Sequence, residues 1–270
     1  MNIKRICFIG AGSMGMPMVV RLVQAGYAVQ ALVRSEETRA TLERAGALTF
    51  RDGAAAAEGA ECCVVCVFSA DQLREVLLGG GVLDSLASGA VVINHTTVDM
   101  GAIVDLADEA AARGLDFVDA PVSGTPVMIE QGELTVLLGG GKDGTNAAAE
   151  IVSAYASPVV KTGASGSATQ LKLINNALFA AHSQLAEEAM RIGESFGHDR
   201  ATVIRVLNAC SGTSGALAYL ARKDAVSFED TERYLRKDVA ALMKSVETAR
   251  SLGVLGKAIS LGPLDLGGAS

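Results

Sequence analysis

The sequence predicts an α/β chain: a doubly wound, mainly parallel sheet in the N-terminal part, followed by an all-helical C-terminal domain. Three observations predict it. Short apolar runs alternate with segments of helical periodicity up to Thr162, the pattern of βαβ units. Those runs are apolar throughout and do not alternate apolar with polar, as expected of strands covered on both faces by helices. Beyond Thr162 only helical spacing remains. With 270 residues the chain is long enough for two domains. The boundary is placed so that residues 1–163 form the sheet domain and residues 164–270 the helical one.

Taken in order, residues 6–10 form the first strand and residues 13–25 a helix, with Met14, Met18, Leu22 and Val23 on one face. Residues 28–33 are the second strand, 36–45 the second helix, and 48–50 a short third strand. Further strands are expected at 62–68, 91–94, 117–120, 134–138 and 159–161. The helical half contains segments at 168–196, 201–207 and 234–252, the last with Val239, Leu242, Met243, Val246 and Ala249 recurring by threes and fours. A helix over 168–196 would be roughly 40 Å long, a length that commonly bridges two domains.

Bulk properties exclude several classes. Half of the residues are hydrophobic and a fifth charged, a globular composition. The formal charge of −7 lacks the basic face that nucleic acid or an anionic membrane requires. No apolar run approaches the ~18–20 residues that span a bilayer, and the N-terminus runs into a glycine loop, so it reads as a strand and not a secretion signal. Cys63-Val-Val-Cys66 has redox or zinc spacing but lies inside an apolar strand, with no second Cys or His pair at zinc distance. The strand cysteines are read as buried, inert thiols, Cys7 and Cys210 complete an odd count of five, and the chain reads as a reduced, cytoplasmic protein without a metal.

Gly10-Ala11-Gly12-Ser13-Met14-Gly15 fits G-x-G-x-x-G directly after the first strand and before the first helix. In this context Gly10 permits the tight turn, Gly12 lets backbone approach a pyrophosphate, and Gly15 lets helix and strand pack closely. The helix N-terminus adds free N–H groups and partial positive charge. The first domain is therefore a dinucleotide-binding Rossmann sheet. At the end of the second strand, where NAD sites usually carry an acid, the chain has Arg34 and Ser35. A guanidinium there can face a 2′-phosphate with the serine donating beside it, which favours NADP(H). Arg34 stacking on adenine would serve NAD equally, so NAD stays open.

The chemistry is placed at residues 163–183, a glycine-rich turn running into a long helix with Ser165 or Ser167 as N-cap. Lys172 and Asn176 project from one side of it, one turn apart. Lys172 lies in an apolar run, so its ammonium either borders a cleft or snorkels to solvent.

Together these segments resemble the β-hydroxyacid dehydrogenase family, which contains 3-hydroxyisobutyrate dehydrogenase and is related to 6-phosphogluconate dehydrogenase. Gly10-Ala-Gly-Ser-Met-Gly-Met-Pro-Met18 looks like its cofactor fingerprint and Asp119-Ala-Pro-Val-Ser-Gly124 is identical to its substrate signature. Residues 163–176 are similar to its catalytic motif, and Lys237-Asp238 to its C-terminal pair. The resemblance implies Lys172 as acid/base with Asn176 orienting it, and Ser123 and Gly124 on the substrate carboxylate. It also implies Val67, Phe68, Thr97 and Lys237 at the nicotinamide half of the cofactor. Physical reasoning agrees, since an ammonium can stabilise and protonate the oxygen of a carbonyl that receives hydride. Lys237 falls near the expected start of its helix, where the dipole disfavours a cation, which speaks against a purely structural role.

Departures gather on the substrate side. Thr125 replaces a second glycine and Ile129 a small residue, both expected to reshape the acid-binding loop. Phe68 replaces a proline, Asn94-His95 an Asp-Ser pair, and Thr213 an arginine in the substrate-side loop. His95 is read as packing beside the cofactor or hydrogen-bonding backbone, not as a proton shuttle. The family's last helix is expected to be missing, leaving the cleft open or completed by a second subunit. The leading reading is an NADP-preferring dehydrogenase of a 3-hydroxyacid or semialdehyde, forming a homodimer or higher homo-oligomer through its apolar helices. An imine or other carbonyl reductase, and a non-catalytic dinucleotide-binding protein, are the alternatives.

Overall fold

The computed structural model describes residues 3–222, 228–246 and 252–266. The chain divides into two compact units, Met1–Lys172 and Leu173–Ser270.

In the first unit β1 (Arg5–Ile9), α1 (Gly15–Gln24), β2 (Ala28–Leu32), α2 (Glu36–Ala45), β3 (Leu48–Phe50), α3 (Gly53–Ala57) and β4 (Cys62–Val65) follow one another. Then come α4 (Ala70–Arg74), which widens into a π-type turn at Glu75–Gly79, α5 (Val82–Ser85), β5 (Val91–Asn94), α6 (Met100–Ala111) and β6 (Asp116–Asp119). β7 (Val122–Ser123), α7 (Pro126–Gln131), β8 (Leu134–Gly139), α8 (Lys142–Val152) and β9 (Ala156–Gly163) complete it. The strands lie in the order β3-β2-β1-β4-β5-β6-β8-β7, with β9 also on β8. Strands β1 to β6 pair in parallel, while β8 is antiparallel to β6 and β7 and parallel to β9.

The apolar strands are explained by two cores, one on each face. Ile6, Phe8, Cys62, Val64, Val91 and Ile93 enter one, with Met18 and Leu22 of α1. Their neighbours Cys7, Ile9, Cys63, Val65 and Val92 enter the other, with Ile103 and Leu106 of α6. A strand's side chains point alternately to the two faces, so both sets must be apolar. Burial pushes the Cys62 thiol up, and a hydrogen bond with Cys7 together with burial pushes the Cys63 thiol up, which keeps both protonated and inert.

In the second unit α9 (Ser167–Ser195, which begins in the first unit) is followed by α10 (Arg200–Ala209), α11 (Gly215–Arg222), α12 (Glu229–Ser245) and α13 (Gly253–Leu261). Leu173, Ala177, Ala180 and Ala181 of α9 pack with Leu235, Val239, Leu242 and Ile259. Ala186 and Met190 pack with Ile204, Leu217 and Phe228. The buried Gln184 amide donates to the Ile259 and Leu264 carbonyls, each at 2.7 Å, and thereby ties down the end of α13.

Several expectations need correction. The first helix starts at Gly15, not at 13, because the glycine loop occupies Gly12–Met14 positions. β4 stops at Val65, short of 68, where the chain turns into its loop. Two-residue β7 gives no periodic signal, and α11 and the glycine-containing α13 are too short to show one. Helix α12 begins at Glu229, ahead of the apolar repeat that starts near Tyr234; Ala249 lies outside the described residues. Among the described residues no helix is long and apolar enough to cross a membrane, and no cluster of His, Cys, Asp or Glu could hold a metal ion.

Candidate active site

The loops at the C-terminal ends of β1, β4, β5 and β6 carry most of the expected residues. In a sheet of this order the chain turns in opposite directions after β1 and β4, which leaves a crevice beside them. Gly10 has φ +97°, and a Cβ on it would stand 2.0 Å from the Cys66 carbonyl oxygen of the β4 loop. Only glycine permits that approach. Ala11 and Met14 are half-buried against the core, while Gly12 and Ser13 are exposed. A Cβ on Gly12 would meet nothing within 4 Å, so its backbone faces open space. No side chain caps α1 and its first turn holds no acid, so the terminus is left to an anion. These residues fit the pyrophosphate of a dinucleotide.

After β4, the Val67 amide donates to Thr96 Oγ1 at 3.0 Å and the Phe68 amide to Gln72 Oε1 at 3.0 Å. Thr96 thus joins the β4 and β5 loops, a role its neighbour Thr97, half-buried, had hidden from sequence reading. Asn94 is buried and holds the Thr96 amide on its Oδ1 at 2.9 Å.

At the end of β2, Arg34 and Ser35 are exposed. Ser35 caps α2, accepting from the Thr38 amide at 3.1 Å and donating to Thr38 Oγ1 at 2.8 Å, so its hydroxyl already has a partner. A second guanidinium lies here. Arg51, directly after β3, donates to the Arg34 carbonyl at 3.0 Å and to Glu36 at 2.7 Å. Sequence reading missed it, although Phe50 pairs with Leu32 across the ladder and so brings the residues after both strands together.

The segment after β6 has two functions. Asp119 is fully buried and accepts the Gly166 amide at 2.7 Å and the Thr169 amide at 2.8 Å. It therefore caps α9 from 47 and 50 residues away, where Ser165 or Ser167 was expected. Ser167 instead shares a 2.7 Å hydrogen bond with Thr162. Burial pushes the Asp119 carboxyl above its ordinary value, and the two amides work against that shift. Ser123 and Gly124 follow. Gly124 has φ +145° and a Cβ there would crowd Leu134 at 2.9 Å, so this loop also needs glycine. Thr125 caps α7, which occupies its hydroxyl. Ile129 is buried in the sheet core.

Lys172 is 8% exposed on the first turns of α9, the helix anchored by Asp119. Glycine loop, Ser123, Gly124 and Lys172 all belong to the first unit. Asn176, one turn further, belongs to the second and donates to Asp238 Oδ2 at 2.6 Å. Asp238 is buried and its other oxygen lies 3.3 Å from Lys237 Nζ. Asp238 thus orients the Asn176 amide, a role not assigned from sequence. Lys237 sits in the middle of α12, not near its start, which removes the dipole argument made for it. Thr213 is exposed between α10 and α11 and donates to Asn208 Oδ1 at 3.2 Å.

Comparison with known proteins bears on the fold and the family of the chain. The family profile described as the NAD binding domain of 6-phosphogluconate dehydrogenase matches residues 5–163. The profile described as NAD-binding of NADP-dependent 3-hydroxyisobutyrate dehydrogenase matches residues 166–259. An uncharacterized oxidoreductase of Synechocystis sp. is 30% identical over 262 residues, 94% of this chain and 90% of that protein. Mitochondrial 3-hydroxyisobutyrate dehydrogenase of Mus musculus is 33% identical over 206 residues, 76% of this chain and 62% of that one. The crystal structure of 3-hydroxyisobutyrate dehydrogenase from Salmonella typhimurium shares the fold, with a TM-score of 0.82 at 24% identity, covering 96% of this chain and 92% of that chain.

Proposed function

Because the chain belongs to the β-hydroxyacid dehydrogenase family and is an NAD(P)-dependent oxidoreductase, we propose that it interconverts a 3-hydroxyacid and the matching semialdehyde with NADP(H), using Lys172 as general acid/base. The observation that carries this reading is the buried Lys172 on a helix whose first turn is held by Asp119, the residue that opens the segment leading to Ser123 and Gly124. Gly10, Ala11, Gly12, Ser13, Met14 and Gly15 would hold the pyrophosphate, and Val67, Phe68, Thr97 and Lys237 the nicotinamide half. The bound nicotinamide supplies or accepts the hydride.

In the reducing direction the Lys172 ammonium donates its proton to the carbonyl oxygen as negative charge develops there. In the oxidising direction its amine takes the hydroxyl proton. Asn176, aligned by Asp238, orients the lysine. Ser123 Oγ and the Gly124 amide receive the carboxylate, and Thr125 and Thr213 border the acid on the substrate side. Arg34 and Arg51 give two guanidinium groups for a 2′-phosphate, which supports NADP over NAD.

We further place a dinucleotide-binding domain at 1–163 and a substrate and dimerisation domain at 164–270. Leu171, Ile174, Leu178, Leu185 and Ile192 are exposed at helical spacing along α9, which supports a homodimer. A panel of 3-hydroxyacids, semialdehydes and cyclic imines, each with NADPH and NADH, tests the reading. Turnover of a hydroxyacid or semialdehyde, faster with the phosphorylated cofactor, is expected; turnover of imines alone would overturn it.

A further inference from the structure

At Asn94 the parallel ladder between β5 and β6 ends, its last rung running from the Ala120 amide to the Asn94 carbonyl at 2.7 Å. The next rung would send the Thr96 amide to the Ala120 carbonyl. That amide turns instead to its own neighbour, Asn94 Oδ1, which frees Thr96 to receive Val67 on its hydroxyl. The Ala120 carbonyl would then be a buried acceptor without its strand partner, a costly arrangement.

His95 fills the place. Its Nδ1 lies 2.5 Å from the Ala120 carbonyl oxygen and its Nε2 lies 2.8 Å from the Tyr155 hydroxyl. A carbonyl can only accept, so Nδ1 carries the proton; Nε2 then accepts from the tyrosine. The ring is buried, as is Tyr155, and the two meet edge to face with centroids 5.8 Å apart. At Ala120 the chain leaves β5 while keeping register with β8, Asp119 opposite Gly139 and Val122 opposite Val136. The imidazole is therefore a tether on the β5 side, beyond the last rung of the ladder and ahead of Ser123 and Gly124.

We propose that His95 is a positioning residue for the substrate segment: as its Nδ1–H tautomer, braced by Tyr155, it holds the Ala120 carbonyl and so sets where Ser123 and Gly124 stand. This rests on the reading of residues 123 and 124 as the carboxylate site. Asparagine can place an amide N–H near the position of Nδ1, whereas leucine cannot, so the two substitutions separate the hydrogen bond from the volume.

The test measures steady-state kinetics of wild type, His95→Leu, His95→Asn and Tyr155→Phe with the acid or semialdehyde that the wild type uses, beside ring ¹⁵N NMR of histidine-labelled wild type. His95→Leu is expected to raise the substrate KM about tenfold, the size of a lost buried hydrogen bond, and to leave the dinucleotide KM unchanged. His95→Asn restores most of that loss, and Tyr155→Phe gives a smaller rise. Should His95→Leu fail to fold, the asparagine and phenylalanine variants carry the kinetic comparison. The ¹⁵N shifts are expected to show a protonated Nδ1 and an unprotonated Nε2 at neutral pH. The opposite tautomer overturns the inference whatever the kinetics. Wild-type turnover with an unchanged substrate KM in His95→Leu, or a KM raised equally for the dinucleotide, also overturns it and leaves the dehydrogenase reading standing. A wild type that turns over no acid or semialdehyde overturns that reading, and this inference with it.

Discussion

Helices α1 and α9 both begin at glycine turns, yet they begin in opposite ways. The start of α1 has no capping side chain and no acid, and its Gly12 faces open space. The start of α9 is closed by the Asp119 carboxylate, which takes the Gly166 and Thr169 amides. An open terminus is a seat for a ligand's anion, whereas a closed one is a joint between elements. The first is specified by small residues adjacent in sequence. The second is specified by a partner from another strand, and it places Lys172.

The contrast breaks most severely at Gly10. Gly10→Ala puts a methyl 2.0 Å from the Cys66 oxygen at a positive φ, with an expected stability loss of at least ~3 kcal/mol and no measurable dinucleotide binding. Gly12→Ala has space for its methyl, so the melting temperature is expected to hold while dinucleotide affinity falls about 10–100-fold. Equal melting losses in both variants would show that Gly12 too is needed for packing and not for the ligand. Thermal denaturation with cofactor fluorescence titration separates these cases.

At the closed terminus, Asp119→Asn sets an N–H against one of the two amides and is expected to cost about 2–4 kcal/mol. The turnover number should fall while dinucleotide affinity in the folded protein stays. A variant with unchanged turnover would mean that the joint does not position Lys172.

Next in size is the response to acid. Burial pushes the His95 ring from 6.5 down to about 4, so the folded protein stays neutral there while the unfolded chain takes up a proton. Stability is full above pH 6.5 and is lost as the pH falls toward 4, by about 3 kcal/mol, then levels off. Asp119, held above its ordinary value by burial, shifts stability the other way as its carboxyl protonates. Denaturant curves of wild type and His95→Asn between pH 7 and 4 isolate the histidine: the difference should shrink with acid, and a constant difference would contradict a neutral buried ring.

The smallest effect lies at the exposed adenosine end. Arg34→Ala and Arg51→Ala should each lower the preference for NADPH over NADH by roughly 5–20-fold, read as the ratio of kcat/KM values. Losses confined to Arg34 would mean that Arg51 serves only its contacts with the Arg34 carbonyl and Glu36.

Much of the first unit was legible because its signals are local. Continuous apolar strands report burial on two faces, and G-x-G-x-x-G reports a turn whose geometry excludes side chains. The site's supporting residues were not legible, because each acts across a gap in sequence. Asp119 reaches α9 and Asp238 reaches Asn176; for His95 the backbone hydrogen bond was expected, and only its partners Ala120 and Tyr155 were not. Arg51 could have been found from the β2–β3 register. Lys237 was misplaced because the charged residues opening α12 carry no apolar period to mark its start.

The central claim is that Lys172 moves the proton. The most direct measurement compares wild type and Lys172→Ala for NADPH binding by fluorescence and for turnover of the best substrate under saturating cofactor. The account predicts unchanged NADPH affinity and a turnover number lower by about 10²–10⁴-fold; near-normal turnover with intact binding would contradict it.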